Sequence, residues 1–451
     1  MKKITILIIL FGSFLHAQLQ VGSTTIEERE VVNGLDVPWE IKWGPDDFLW
    51  VTERSGIVSR INVATGEKHV ILDIANIVTT ESESGLLGME FHPDFASNQI
   101  LFLVYTYYQG WQIKERLVAY TYNSDLDVLE NEQIILNSIN GYSTHIGCRL
   151  HILSDYTMLM STGDAQDQSA SQDINALTGK ILRIDISDNN FGGIPLDNPI
   201  SDSYVWSWGH RNAQGIEVAP NGIIYSSEHG PQNDDELNIL QPDRNYGWPN
   251  VNGFCDGFSE QAFCNENNVV EPLIAWTPTI APSDIIWYDH PSIPEFQNTL
   301  LMTVLKDKNL VRFTMSEDGS QVESYTEFFN NEWGRLRDIC VSPDGKIYLA
   351  TNGYSWPSQP PNEIIELSPV SNNSSISENN YFDNVKVLNN NGSYTITSSL
   401  CDFSVFDMTG RLIIESFEQE TIFLSSTDFS SGLYNIVLKK GDDAKMLQLA
   451  F

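Results

Sequence analysis

Residues 209–249 read GHRNAQGIEVAPNGIIYSSEHGPQNDDELNILQPDRNYGWP, and the middle of this stretch, APNGIIYSSEHG from Ala219, decides the fold. Pro220-Asn221-Gly222 is a turn signal, and the piece from Gly222 to Glu228 that follows it is strand-like. The same phrase recurs as GPDDFLWVTER from Gly44, HPDFASNQILFLVYTY from His92, LSDYTMLMSTGD from Leu153 and SPDGKIYLATNG from Ser342, with a weaker copy, NTLLMTVLKDKNLVRF, from Asn298. The spacing is irregular but the unit is one. Short strands, frequent turn signals and almost no helical periodicity make an all-β chain. Six such units predict a six-bladed β-propeller, whose strands surround a central channel. If the repeated strand is the innermost one, the residues just after it meet at one mouth of that channel. These are Glu53-Arg54, Asp164, Glu228-His229, Lys306 and Asn352. Charged residues delivered from different blades to one place make a site.

Around the central strand of the quoted stretch stand two polar clusters, His210-Arg211-Asn212 before it and Asp234-Asp235-Glu236 after it. An isolated Asp-Asp-Glu is ordinarily a solvated acidic loop. Here carboxylates adjoin the backbone carbonyls of Gly230 and Pro231, and both are hard oxygen donors of the kind calcium takes.

The whole chain bounds the reading. Its 451 residues hold one large domain and a smaller one. A formal net charge of −35 argues against nucleic acid as a partner, because phosphate neutralisation needs basic patches. Residues 1–17 have the layout of a secretory signal peptide: Lys2 and Lys3, an apolar run from Ile4 to Leu15, then Ala17. No other segment is long and apolar enough for a transmembrane helix. Of the five cysteines, Cys255 and Cys264 flank a short loop and could pair in an oxidising compartment, whereas Cys148, Cys340 and Cys401 read as small buried residues. Residues 368–380 (SPVSNNSSISENN) are a Ser/Asn linker, and 381–451 return to alternating strands that predict a separate small β-sandwich.

Ten ordered motifs then resemble one family. DVPWEIKWGPDDFLWVTERSG, ESGLLGMEFHPDF, HIGCRL, STGD, GHRNAQG, EHGPQNDDELN, NYGWP, TPTIAPS, LK and GRLRD stand in the order found in soluble sugar dehydrogenases that use pyrroloquinoline quinone (PQQ), the glucose/sorbosone dehydrogenases. The resemblance runs from about Val37 to Leu367 and is nearer the aldose sugar dehydrogenase branch, within a propeller domain expected at 25–367. It implies oxidation of an aldose sugar to a lactone, with the electrons passing on to an acceptor that the sequence does not identify. His145 matches the general base, Asp164 the carboxylate that orients it, and Arg211 the cation that stabilises charge on the reduced quinone. Asn212 and Thr279 match cofactor contacts, and Lys306, Arg335 and Arg337 match cations for the PQQ carboxylates. Gly230 and Pro231 match ligands of the calcium bound to PQQ. Glu236 and Tyr246 match ligands of a second, structural calcium, with Asp235 close by. Departures from the glucose enzyme's pattern are Glu83 and His229, each in place of a glutamine, and Cys148 in place of a glycine. Glu83 sets a negative charge beside an anionic cofactor, and Cys148 crowds its turn.

The C-terminal piece resembles the sorting domain of bacterial type IX secretion (the Por system, type A), which implies that secretion machinery as a partner and passage across the outer membrane. Two other readings of the propeller are a calcium-dependent lactonase, which leaves the four cations without a role, and a sugar-binding module that has lost catalysis.

Overall fold

The structure, a computed structural model, describes residues 19–358, 362–370, 385–390, 393–407, 411–425, 427–430, 432–440 and 443–450. The expected signal peptide at 1–17 and residues 371–380 of the expected linker lie outside them. The chain divides into two compact units, Met1–Val370 and Ser371–Phe451.

In the first unit the described strands form six antiparallel sheets, taken up in chain order. Five are four-stranded, and consecutive strands of each are neighbours within it. The first strands of the six sheets are Pro38–Trp43, Leu86–Phe91, Gly147–Ile152, Ala213–Val218, Pro282–Tyr288 and Leu336–Val341, and each packs against the next until the last meets the first. This closed ring of first strands is the core of a β-propeller.

The repeated phrase is therefore not the innermost strand. Leu49–Glu53, Ile100–Gln109, Thr157–Thr162, Ile224–Glu228, Thr299–Val304 and Ile347–Thr351 are the second strands, because the Pro/Asp/Gly turn ahead of each is the hairpin that leads out of the first. Their apolar runs have a physical cause. Leu49–Glu53, Thr157–Thr162, Thr299–Val304 and Ile347–Thr351 are buried at every position, on both faces of the sheet, so alternation gives way to continuous hydrophobicity. Between sheets lie apolar clusters such as Trp50 with Phe91, Phe95 and Tyr122, whose rings meet edge to face with centroids 5.0–5.9 Å apart.

The sixth sheet closes the ring with strands from both ends of the unit. Glu363–Pro369 pairs with Thr24–Asn33, from Ile26 opposite Pro369 to Asn33 opposite Glu363, and Leu19–Val21 pairs outside that. Two expected boundaries move as a result. The propeller includes Leu19–Val21 ahead of 25, and Ser368 and Pro369, read as linker, are paired strand residues.

All six hairpins between first and second strands share one irregularity. Their register shifts near the start of the first strand, at Pro38/Glu40, Leu86/Met89, Gly147/Leu150, Ala213/Gly215, Pro282/Ile285 and Leu336/Asp338. A bulge re-aims the side chains it inserts. These bulges all lie at one end of the ring, the end where the second strands finish.

In the second unit, the described strands are connected by hydrogen bonds into one five-stranded sheet. Ser393–Asp407 is shared: it pairs along its length with Leu412–Leu424, on its early part with Lys386–Asn390 and on its later part with Leu433–Lys440. Its buried positions run Tyr394, Ile396 and then Cys401, Phe403, Val405, so the inward phase changes at the register break between Thr397 and Cys401.

Candidate active site

At the bulged end of the ring, His145, Asp164 and Arg211 form one hydrogen-bonded line. His145 Nδ1 lies 2.8 Å from Asp164 Oδ1, and Arg211 donates from its NH2 group to His145 Nε2 at 2.9 Å. A guanidinium has no lone pair to offer, so Nε2 is the acceptor and Nδ1 carries the proton. The imidazole is thus neutral, with its basic nitrogen on the side away from Asp164. Asp164 is fully buried and also accepts from the Gln166 backbone N–H (2.8 Å) and from Trp248 Nε1 (2.9 Å). Burial works to raise its pKa, but the hydrogen bond from His145, together with the other two donors, holds it below the usual carboxylate value.

The turn that presents His145 is constrained by its neighbours. His145 sits in the left-handed region (φ 56°), and its backbone N–H donates to Glu83 Oε2 at 2.8 Å. Glu83 therefore holds the base's turn, which gives its negative charge a local use. Gly163, in the STGD motif, is glycine for a steric reason: a Cβ there would meet the His145 carbonyl oxygen at 1.9 Å. Cys148 is buried and also left-handed (φ 76°), and its thiol donates to Glu115 Oε1 at 3.4 Å. Arg211 is held from behind: Glu228 accepts the backbone N–H groups of Arg211 and of Asn212 (3.2 Å) and the His210 ring (2.9 Å). The NH1 group of Arg211 donates to the His229 carbonyl at 3.0 Å.

Next to this line opens a cavity of about 310 Å³ whose lining includes Glu83, Asn212, His229, Lys306, Arg335 and Arg337. Arg54 lines it too. Among the described residues, none of Arg54, Lys306, Arg335 and Arg337 forms an ion pair, and Arg335 Nε is buried with no hydrogen-bond partner. Burial, with Arg335 and Arg149 close by, pulls the Arg337 pKa down to about 9. Burial and the charges of Arg337 and Arg211 likewise depress His229 to about 3, so it is a neutral ring bonded through Nε2 to the Pro282 carbonyl at 2.7 Å. Unpaired, mutually repelling cations around an enclosed space suit a compact polyanion. The cavity fits a small ligand carrying several carboxylates. Thr279 stands behind this lining and positions Lys306, accepting from its Nζ at its carbonyl (2.6 Å) and hydroxyl (2.9 Å) oxygens. Beneath the cavity Arg149, fully buried, meets Glu40 (2.5 Å), Asp338 (2.8 Å) and Asp284 (3.3 Å).

The expected metal ligands divide. Gly230, Pro231, Glu236 and Tyr246 line a second cavity of about 10 Å³, room for one water or ion, together with Glu228 and Asn252. Asn252 Oδ1 is buried without a partner, and burial beside Glu228 lifts the Glu236 pKa to about 8. A Cβ at Gly230 would strike the carbonyl oxygens of Asn233 and Asp234 at 2.1 and 2.5 Å. The oxygen donors of this lining, an unpartnered amide oxygen and the Glu228 and Glu236 carboxylates among them, fit calcium, with Arg211 and His229 also at the cavity. Asp235 does not share in it. Its carboxylate accepts the backbone N–H groups of Gly230, Ile280 and Ala281 at 2.6–2.7 Å, which makes it a clamp between two loops. The Tyr246 hydroxyl is likewise engaged, accepting from Gln241 N and donating to the Ile239 carbonyl, so only the backbone of Tyr246 is left to offer.

Arg54, expected at the channel mouth with the other residues that follow the repeated strands, lines the cavity. Two further residues act here that no motif singled out. Gln214 accepts from Arg337 at 2.9 Å, and Trp248 donates to Asp164. Their signal was faint, since Gln and Trp have no fixed chemistry in a one-dimensional pattern. Cys255 and Cys264 are joined as a disulfide, and the helix Phe258–Asn267 carries the second of them.

Residues 35–355 match the family described as Glucose / Sorbosone dehydrogenase. Quinoprotein glucose dehydrogenase B of Acinetobacter calcoaceticus is 29% identical over 419 residues, covering 73% of this chain and 86% of that protein. The aldose sugar dehydrogenase YliI of Escherichia coli (strain K12) is 27% identical over 371 residues, covering 79% and 96%. Among solved structures, the PQQ-bound aldose sugar dehydrogenase of Streptomyces coelicolor superposes with a TM-score of 0.66 at 27% identity, covering 78% of this chain and 99% of that one.

Proposed function

The chain belongs to the glucose/sorbosone dehydrogenase family, and from that premise we propose that it oxidises the anomeric carbon of an aldose to the lactone, with PQQ and calcium bound. The observation that carries this reading is His145, whose Nε2 lone pair accepts from Arg211, beside a cavity whose cations Arg54, Lys306, Arg335 and Arg337 form no ion pair among the described residues. The six sheets are six blades, and the site sits on their common axis.

PQQ, when bound, would supply the acceptor for the hydride, with its electron pair, that leaves the sugar carbon. The protein does the rest. Lys306, Arg335, Arg337 and Arg54 hold the carboxylates, and Gly230 and Pro231 offer carbonyls to the calcium that accompanies the cofactor. Sugar binding displaces the Arg211 hydrogen bond from His145 Nε2, and that nitrogen then takes the proton of the anomeric hydroxyl as the carbonyl forms. Asp164 steadies the imidazolium through Nδ1, and its burial makes that interaction strong. Arg211, released from His145, remains beside the site to face the developing negative charge. Glu236, Asn252 and the Tyr246 backbone face the same one-ion cavity and would complete the oxygen shell there.

Residues 381–451 act as the type IX secretion sorting domain, following export directed by residues 1–17. The test of the central claim is reconstitution of the full chain with PQQ and calcium, followed by glucose-dependent reduction of an artificial dye. Saturable PQQ binding with no reduction by any aldose would refute it.

A further inference from the structure

Asp164 stands at the start of a loop, residues 163–180, whose far end carries a lysine that the reaction does not use. Gly179 donates its backbone N–H to the Gly163 carbonyl at 2.8 Å, so the loop closes on itself and Lys180 follows directly. Lys180 begins the strand Lys180–Asp185 and is fully buried. Its Nζ donates to three backbone carbonyls of that loop: Ala170 at 2.7 Å, Ser171 at 3.1 Å and Thr178 at 2.7 Å. An ammonium carries three protons, and here each meets one acceptor. No carboxylate pairs with it among the described residues. Burial pulls its pKa down to about 7, and the exposed Asp173 is the charge that works the other way.

Burying a cation without a counter-charge is costly, and an apolar side chain of the same length would fill the space without that cost. The compensation is order in the loop. Residues 170–172 end the short 3-10 helix Gln168–Gln172, and their links lead to the candidate site. The Ser171 carbonyl accepts from the Gly209 backbone N–H at 2.9 Å, and its hydroxyl donates to the His210 carbonyl at 2.8 Å, next to Arg211. Gln172 exchanges side-chain hydrogen bonds with Asn245 and donates to the Trp248 carbonyl at 2.6 Å. A Cβ at Gly179 would strike Ser171 Oγ at 2.1 Å, so the packing leaves no slack. Asp164, Arg211 and Trp248 therefore share one support, and Lys180 pins it.

We propose that Lys180 is a positioning residue for sugar oxidation: its ammonium fixes residues 170–172 as the platform from which Asp164, Arg211 and Trp248 are set around His145. This role rests on the sugar-oxidising reading and adds to it a residue that touches neither sugar nor cofactor. Without the ammonium the three carbonyls lose their common donor and the platform shifts. A displacement of about 1 Å is enough to cost roughly a hundredfold in rate. Lys306, Arg335 and Arg337 stand on other blades and keep their places.

The test compares Lys180→Met, of similar length and without charge, with the wild-type full chain, both reconstituted with PQQ and calcium. Reduction of bound PQQ at saturating glucose slows roughly ten- to a hundredfold, while half-saturation by glucose and PQQ affinity stay near wild type. A general loosening of the propeller would weaken both affinities as well. A second readout needs no turnover. In the cofactor-free full chain the His145 Nδ1 proton, bonded to a buried carboxylate, gives a far-downfield proton resonance, identified by its absence in His145→Gln. Lys180→Met shifts or removes that resonance. If the wild type oxidises no sugar but Lys180→Met still displaces the resonance, the positioning role stands and the oxidation reading fails. Ser171→Ala, which cuts only the hydroxyl link to His210, acts in the same direction on both readouts and decides the matter if Lys180→Met does not fold. Wild-type rate and resonance in folded Lys180→Met, or in Ser171→Ala where it stands in, overturn the proposal.

Discussion

Asp164→Asn tests the chemistry at a single atom. The substitution keeps shape and volume, and Asp164 is fully buried, so no surface effect enters. Its two oxygens serve different donors, Oδ1 the His145 ring and the Gln166 amide, Oδ2 the Trp248 indole. An asparagine has only one acceptor oxygen. If that oxygen faces Trp248, its NH2 group faces His145 Nδ1, which must then become the acceptor, and Nε2 acquires the proton and is no longer a base. If the oxygen faces His145, the tautomer survives, but the imidazolium loses its counter-charge and Trp248 Nε1 meets a donor. The second outcome removes a charge-assisted hydrogen bond, about 1.5–3 kcal/mol, or roughly ten- to a hundredfold in rate. The first removes the base itself, about two to four orders of magnitude. Rapid-mixing measurement of bound PQQ reduction by glucose isolates the chemical step, with cofactor affinity followed separately by quinone absorbance. Affinity is expected to stay near wild type, because the carboxylate contacts come from Lys306, Arg335 and Arg337. Reduction at the wild-type rate in Asp164→Asn would refute the assignment of His145 as base and Asp164 as its orienting group.

Four further outcomes are expected. His145→Gln lowers the reduction rate by about two to four orders of magnitude with PQQ still bound, and an unchanged rate reduces His145 to a packing residue. Arg335→Ala, which removes an unpaired cation, weakens PQQ binding by roughly ten- to a hundredfold in an absorbance titration, and chelation of calcium abolishes saturable binding. Glu115 is buried with one thiol donor, and burial raises its pKa to about 8 against an ordinary 4.5. Between those values the folded chain keeps a proton that the unfolded chain has lost, so this group costs stability as pH rises, about 1.4 kcal/mol per unit at the steepest. Glu115→Gln should therefore flatten the decline of Tm between pH 5 and 8, and a decline as steep as wild type contradicts it. Finally, a chain ending at Val370 should fold and oxidise sugar while failing to leave a type IX-competent cell, and loss of the propeller's unfolding transition on truncation would contradict the independence of the two units.

Much of this was legible in residue order because its causes are local. A Pro-Asn-Gly turn ahead of Ile224–Glu228 works through its own backbone preferences, and six repetitions of that physics announce six sheets without any knowledge of their packing. The His145, Asp164 and Arg211 positions could be named because motifs carried them. What residue order could not decide was which strand faces the axis, and the reason is that burial on both faces erases the alternation by which an inner face is recognised. Only closure of the ring put Pro38–Trp43 and its five counterparts innermost and made the repeated strands second. The bulges at the heads of those first strands, set by pairing with partners elsewhere in the chain, bring Arg337, Gln214 and Trp39 to the cavity. Tertiary contacts likewise settled the acidic run. Asp234, Asp235 and Glu236 are equivalent as letters, yet three backbone amides turn Asp235 into a loop clamp, while Glu236, buried beside Glu228, is left with the charge that a cation would balance.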